Sequence, residues 1–178
     1  MQFLKVTVLA CALLSSPFIY AADSMFGLKL NGDLNPDLII KGDDLYILNL
    51  KPDLIGYRVN PTQPSPDFQN YYVGMKDNKI KQITAIGHED VGPIDSDKLE
   101  SGEPNELLDG QLLKYQTIKE ELSSQFGDLN ENTSKYTYFP NSTWLGDDIY
   151  LKLGTSLSAN DDNDIEHSYT IRLDLGTK

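Results

Sequence analysis

Only one stretch of the chain repeats its apolar residues at helical spacing, which favours a sheet with a single main helix. In "PNELLDGQLLKYQTIKEELSSQFG" these residues fall three or four apart and form one stripe; they are Leu108, Leu112, Tyr115, Ile118, Leu122 and Phe126. Pro104 suits the first helical turn, and Gly127 suits the position after the last one. The pattern therefore predicts a helix over about residues 104–126, whose stripe must be buried.

The remaining apolar residues mostly alternate with polar ones, as in strands that bury one face. Such runs are "FGLKL", "LYILNLKP", "FQNYYVGMK", "KIKQITAIG", "SKYTYF", "DDIYLKLG" and "HSYTIRLDL". The pair Asp77-Asn78 between two of them predicts a hairpin, and no helical pattern separates the last two. Sequential strands of this kind pair antiparallel. The sequence thus predicts an α+β fold in two layers, an antiparallel β-sheet with the helix packed on one face.

The first residues have the layout of a secretory signal peptide. Lys5 precedes a mostly apolar run, and the small residues Ala21 and Ala22 precede the first acid, Asp23. The run is shorter than the roughly 20 apolar residues of a membrane-spanning helix, so we expect no membrane span. We expect residues 1–22 to be removed by cleavage near Ala21 or Ala22. Residues 23–178 would then form one domain in the periplasm or the medium of a Gram-negative bacterium.

Cys11, the single cysteine of the chain, lies inside this apolar run. A lipid anchor at Cys11 would require cleavage directly before it, which leaves only residues 6–10 as the apolar core of the signal. Signal cores are longer, about 7 to 15 residues. The length therefore disfavours a lipid anchor and predicts a mature domain without a thiol, a disulfide or cysteine-based catalysis.

The chain is strongly acidic, with 27 Asp and Glu against 15 Lys and Arg and a net charge of −12. Such a surface repels phosphate backbones, so we expect no nucleic acid partner. A basic protein or a cation is easier to accept. Acids spread over loops also serve solubility alone, and the sequence does not separate these two uses.

Several quoted motifs together form a recognisable pattern. The opening "FGLKL", the hairpin "FQNYYVGMKDNKIKQITAIG", the helix end "QFG" and the later "DDIYLKL" resemble those of small exported bacterial proteins of unknown function. Those proteins share a Phe-Gly-Ile/Leu start and a helix that ends in an aromatic-Gly pair. More distantly, the chain is similar to the two-layer modules of β-lactamase inhibitory proteins and small outer-membrane assembly lipoproteins. Those modules bind other proteins, so the resemblance implies a binding role and supplies no catalytic residue.

Two features raise the question of a metal site. The chain has two histidines, His88 and His167, and "HEDVG" lacks the second histidine that a zinc-peptidase helix places four residues on. Two unrelated surface histidines are therefore favoured over a shared zinc site. The acidic loop before the last strand offers oxygen ligands for calcium, without the glycine and final glutamate of an EF-hand. Its candidate ligands are Asp161, Asp162, Asp164, Glu166 and His167; the alternative is a hairpin tip kept soluble by charge.

No catalytic motif is present, since the chain has neither Gly-x-Ser-x-Gly nor Ser-x-x-Lys. The sequence predicts no catalytic residue and no cofactor. Paired carboxylates can still meet in space without a local signature. An envelope hydrolase that uses such a pair, or a metal at His88 or His167, therefore stays as an alternative, as does a weak calcium-binding protein.

Tyrosines on an exposed sheet face make good binding surfaces, because they bury a large area with few rotatable bonds. The candidates are Tyr71, Tyr72, Tyr136, Tyr138 and Trp144. Strands also favour tyrosine for packing alone. The leading hypothesis is an exported, non-catalytic binding module. Its partner, a protein or an envelope component, would dock on the sheet face that the helix leaves open.

Overall fold

The computed structural model describes residues 22–41, 51–94, 105–132, 138–159 and 167–178. Within these ranges the chain forms one α-helix, α1 (Glu106–Phe126), and a 3-10 turn at Pro36–Leu38. The strands are β1 (Ser24–Met25), β2 (Leu28–Lys29), β3 (Ile55–Val59), β4 (Asn70–Lys76), β5 (Lys79–Gly92), β6 (Asn130–Asn132), β7 (Asn141–Leu145), β8 (Ile149–Ala159) and β9 (His167–Thr177).

Seven of these strands form one antiparallel sheet in the order β3-β4-β5-β9-β8-β7-β6. The strands β1 and β2 pair separately as a small hairpin. The predicted α+β fold, an antiparallel sheet with one main helix, is confirmed. Because β9 pairs with both β5 and β8, the end of the chain lies at the centre of the sheet.

The predicted hairpin at Asp77-Asn78 is confirmed and joins β4 to β5. Both residues have positive φ, 52° for Asp77 and 60° for Asn78. A two-residue turn with positive φ at both positions matches the twist of the flanking strands, and Asp and Asn tolerate that conformation better than most residues. Local turn chemistry thus fixes this part of the sheet.

Helix α1 begins at Glu106, and Asn105 is its N-cap. The predicted first residue, Pro104, lies outside the described residues. The Asn105 side chain accepts a hydrogen bond from the Leu107 N–H at 3.1 Å. At the other end Gly127 has φ +92°, a conformation that favours glycine. The predicted stripe is buried except for Leu112, which is partly buried.

The hydrophobic core lies between α1 and one face of the sheet, which we call the covered face. Alternate residues of β9 supply its centre: Tyr169, Ile171, Leu173 and Leu175. Leu151 and Leu153 of β8 and Ile83 and Ala85 of β5 are their neighbours in the register. We call the other side of the sheet the opposite face.

The first described residues also close the covered face. Phe26 packs edge-on against Phe68 and Tyr71, with ring centres 5.8 and 5.0 Å apart. The prediction of a single strand through "FGLKL" is wrong, because Phe26 has φ +56° and lies in the turn between β1 and β2. Phe26, Leu28 and Leu30 are nevertheless all buried, so the apolar pattern correctly marked core residues.

Two predicted strands fall mainly outside the described residues, at "LYILNL" and at the start of "SKYTYF". Within the described ranges, no helix combines the length and the apolar character that crossing a membrane requires.

Candidate functional site

Tyr138 was a candidate for the open binding face, and its predicted position is wrong. The side chain is 8 % exposed. Its hydroxyl accepts a hydrogen bond from the Asn105 N–H at 2.8 Å and donates one to Asp109 Oδ1 at 3.1 Å. Tyr138 therefore anchors the start of α1.

Trp144 and Tyr71 also lie on the covered face, which corrects their predicted position on an open surface. Trp144 packs edge-on against Phe126 of α1, with ring centres 5.4 Å apart. The Tyr71 hydroxyl accepts a hydrogen bond from the Ser65 N–H at 2.8 Å and lies 2.9 Å from the Ser65 carbonyl. Burial raises the pKa of Tyr71. Both rings therefore hold connecting segments and the helix on the sheet.

Tyr72 projects from the opposite face, because successive residues of a strand point to opposite sides. Its neighbours in the register are Arg58 of β3 and Thr84 of β5. At 9 % exposure it offers little area for contact. The last tyrosine candidate, Tyr136, lies outside the described residues.

A partly buried polar cluster lies at the centre of the opposite face, where the sequence analysis named no candidate. Asp174 of β9 accepts hydrogen bonds from Thr84 Oγ1 at 2.5 Å and from Gln82 Nε2 at 3.1 Å. Arg172 donates to both oxygens of the same carboxylate, at 2.8 Å from Nε and 3.0 Å from Nη2. Gln82 and Thr84 are buried, so this network is held in place. The signal in the sequence is that Arg172 and Asp174 are two positions apart, with one residue between them, which puts both on one face of a strand.

An open groove, which we call the β8 groove, runs beside this cluster on the opposite face. It consists of two hollows of about 340 and 530 Å³ that share Lys152 and Asp174. Polar groups of β7, β8 and β9 line the first, among them Asn141, Thr143, Ser156 and Arg172. The second is lined further by Lys51, Gln82, Leu145, Tyr150 and Lys178.

The ring of Tyr150 lies across Gly176 in this groove, where a Cβ atom would come within 2.5 Å of the tyrosine hydroxyl. Lys51 Nζ and Lys152 Nζ are 5.5 and 5.3 Å from the ring centre, within cation–π range. Burial, and then the negative charge of Asp174, raise the pKa of Tyr150. The phenol therefore stays neutral at ordinary pH.

Among the described residues, no carboxylate forms an ion pair with a lysine of the β8 groove. Lys51 donates to the Thr177 carbonyl at 2.7 Å, and Lys178 donates to the Gly146 carbonyl. Within the described ranges Lys152 has no hydrogen-bond or ion-pair partner. Outside the groove, carboxylates pair with four of the seven described lysines, which are Lys29, Lys76, Lys79 and Lys119. Asp174 is the only acid among the described lining residues, and Arg172 already binds it.

The two histidines project from different faces of the sheet. His88 lies opposite Thr170 on β9, and its Nδ1 is 3.2 Å from the Thr170 hydroxyl. His167 is two positions before Tyr169 on β9, so it points to the covered face like Tyr169. Its Nδ1 accepts a hydrogen bond from the Ile94 N–H at 3.4 Å. They do not converge on a shared site. The other calcium candidates, Asp161, Asp162, Asp164 and Glu166, lie outside the described residues, and among the described ones no three His, Cys, Asp or Glu side chains are grouped for a metal.

One serine, one aspartate and one histidine do meet on the opposite face. Ser168 Oγ donates to Asp90 Oδ1 at 2.8 Å, and His88 Nε2 lies 3.9 Å from the same oxygen. In a Ser-His-Asp triad the histidine contacts the serine and takes its proton. Here the aspartate lies between the other two, so this arrangement is not a hydrolytic triad.

Comparisons with known proteins do not assign the chain to a family. No family model matches it, and neither a curated protein nor a solved structure does. The geometry of the β8 groove is therefore the main observation from which a function can be inferred.

Proposed function

We propose that the protein is an exported, non-catalytic binding module that holds an envelope component in the β8 groove. The observation that carries this proposal is the groove itself, two adjoining hollows of about 340 and 530 Å³. Ligand sites in proteins commonly have volumes of about 300 to 1,000 Å³. The groove is thus large enough for a ligand of the size that protein binding sites commonly hold.

The contrast between the two faces of the sheet supports a binding role. The covered face is closed by α1 and carries the apolar core, whereas the groove presents cations, hydroxyls and amides. Thr143, Lys152 and Arg172 project from β7, β8 and β9, and β8 and β9 pair along their whole length. Gln82 lies on β5, and Lys51 and Lys178 lie outside the strands. Side chains on paired strands are held more rigidly than side chains on loops, which favours binding with little loss of freedom.

The segment before Asp23 supports export. Its charged start, apolar run and small residues favour removal during secretion. A module released into the periplasm or the medium would meet components of the cell envelope first, so we expect its partner among them.

Nuclear magnetic resonance tests the proposal directly. The processed protein, labelled with ¹⁵N, is titrated with solubilised fractions of the cell envelope. We expect shifts of amide signals in β7, β8 and β9 around Lys152, and weaker shifts for Lys152→Gln. Lys114→Gln on α1 is the matched control and should respond like the native protein. Shifts confined to α1, or no shifts with any fraction, would contradict the proposal.

A further inference from the structure

We propose that the occupant of the β8 groove is an acidic oligosaccharide, a short chain of sugar rings that carry carboxylates. This inference rests on the proposed function and specifies the class of ligand. Three features of the groove favour this ligand: its positive charge, the fixed position of Arg172, and the hydroxyl and amide groups of the smaller hollow.

The groove is a positive region in a chain of net charge −12. Lys51, Lys152 and Lys178 border it, and none of them forms an ion pair with a carboxylate among the described residues. Arg172 and Asp174 offset one another. The side chains of the described lining therefore sum to a positive charge, which attracts an anion locally against the overall repulsion.

Arg172 is positioned to donate directional hydrogen bonds. Asp174 accepts from Nε and Nη2, and a guanidinium has five N–H donors, so further donors remain beside the smaller hollow. Thr84 and Gln82 fix Asp174 and thereby Arg172. Because the planar guanidinium matches a carboxylate in geometry, a fixed arginine next to a groove favours an oxyanion partner.

The hydroxyl and amide groups of the smaller hollow, and the lack of aliphatic anchors in its lining beyond Leu153, favour a sugar over an acidic peptide. The larger hollow is more apolar, with Tyr150 and Leu145 in its lining. Protein partners usually require several aromatic or aliphatic anchors. A peptide strand that adds to a sheet needs an unpaired edge, whereas β8 is paired on both sides. A chain rich in hydroxyls meets these conditions, and the Tyr150 ring provides a flat surface for one sugar ring.

The overall charge of the protein separates this ligand from nucleic acid. Duplex DNA carries a charge about every 1.7 Å along its axis, and an acidic protein surface repels it strongly. A short acidic oligosaccharide carries one carboxylate per ring, so it brings few charges to the site. Its carboxylates can be matched by the three lysines and Arg172 of the groove.

Isothermal titration calorimetry with the processed protein tests this inference. The probe is tetragalacturonate, and the matched control ligand is its methyl ester, which keeps the rings and removes the charges. We expect the ester to bind at least about tenfold more weakly, a difference of about 1.4 kcal/mol. We also expect Lys51→Gln/Lys152→Gln to weaken tetragalacturonate binding about tenfold or more, with Lys114→Gln as the control. Lys51 and Lys152 are both exposed, so the double variant should keep its unfolding temperature.

Three outcomes with tetragalacturonate and its organic control ligands would overturn the inference: no binding of tetragalacturonate, equal binding of its ester, or equal binding of pentaglutamate. Binding of inorganic phosphate at the same affinity would likewise reduce the groove to a general anion site and overturn it. If envelope fractions shift the β8 groove signals while tetragalacturonate does not bind, this inference fails and the proposed function stands. If neither the envelope fractions nor tetragalacturonate shift the β8 groove signals, both this inference and the proposed function fail.

Discussion

The hydroxyl of Tyr115 on α1 lies 2.6 Å from Oγ of Ser142 on β7, and both side chains are buried. This contact is a polar link between the two layers at the outer half of the sheet. We expect Tyr115→Phe to lower the free energy of unfolding by about 1 to 3 kcal/mol, because Ser142 loses its partner in a buried position. Urea denaturation measures the loss. Tyr115→Phe/Ser142→Ala should recover part of it, and a double variant that loses the sum of both single effects would contradict the coupling.

Tyr115 also predicts a dependence of stability on alkaline pH. Burial raises its pKa from the ordinary value of 10.0 to about 12 in the folded state. The folded state then binds the proton more tightly, so this contribution is fully present below pH 10 and is lost as the pH rises toward about 12. Two pKa units correspond to at most about 3 kcal/mol.

The measurement for this second prediction is the unfolding free energy between neutral and strongly alkaline pH. Tyr115→Phe should show a shallower decline than the native protein. It should not abolish the decline, because burial also raises the pKa values of Tyr71, Tyr150 and Tyr169. Identical slopes for the two proteins would contradict the prediction.

Two glycines provide a matched pair of alanine substitutions with opposite expected signs. A Cβ at Gly87 of β5 would lie 2.4 Å from the Asp67 carbonyl oxygen, so backbone must move to admit it. We expect Gly87→Ala to destabilise the fold by about 1 to 3 kcal/mol. Gly110, within α1, has open space around its Cβ position, so Gly110→Ala should stabilise the helix by about 0.5 to 1 kcal/mol. Thermal unfolding of both variants checks the signs, and equal shifts would contradict the close approach at Gly87.

These contacts show which parts of the fold local sequence could predict. The hairpin at Asp77-Asn78 follows from two residues that tolerate positive φ, and α1 follows from its stripe and its end signals. Both depend on residues close together in the chain. The turn at Phe26 was missed because an alternating apolar pattern looks the same whether its residues lie in one strand or in a tight buried turn.

The faces of the sheet could not be predicted in the same way. Tyr71 and Tyr72 must point to opposite sides, but which of them meets the core depends on the side on which α1 packs. Lys152, Arg172 and Lys178 of the β8 groove lie together because β8 and β9 pair as neighbours in sequence. Gln82 of β5 joins them only because β9 also pairs with β5. Single-sequence patterns carry no information on that strand order.

Tyr138 allows a test that separates its structural role from the predicted binding role. Tyr138→Phe removes a hydroxyl that contacts Asn105 and Asp109 at the start of α1. We expect a loss of about 1 to 2 kcal/mol in unfolding free energy, since the Asn105 N–H loses its acceptor. Binding of tetragalacturonate should be unchanged, as the residue lies on the covered face. A weaker titration with unchanged stability would instead support the binding role.

The pair Arg172 and Asp174 gives the last prediction, because here net charge and geometry predict opposite effects on binding. Asp174→Asn makes the β8 groove more positive, so a site that acted through charge alone would bind tetragalacturonate more tightly. It also weakens the contacts that orient the Arg172 guanidinium, so a site that needs a fixed donor would bind more weakly. We expect affinity to fall about threefold to tenfold, measured by calorimetry, because directional hydrogen bonds outweigh one partly exposed charge. Arg172→Gln serves as the control. If Asp174 acts by fixing Arg172, adding Asp174→Asn to Arg172→Gln should cause little further loss of affinity. Tighter binding by Asp174→Asn would leave the lysines alone as the binding groups.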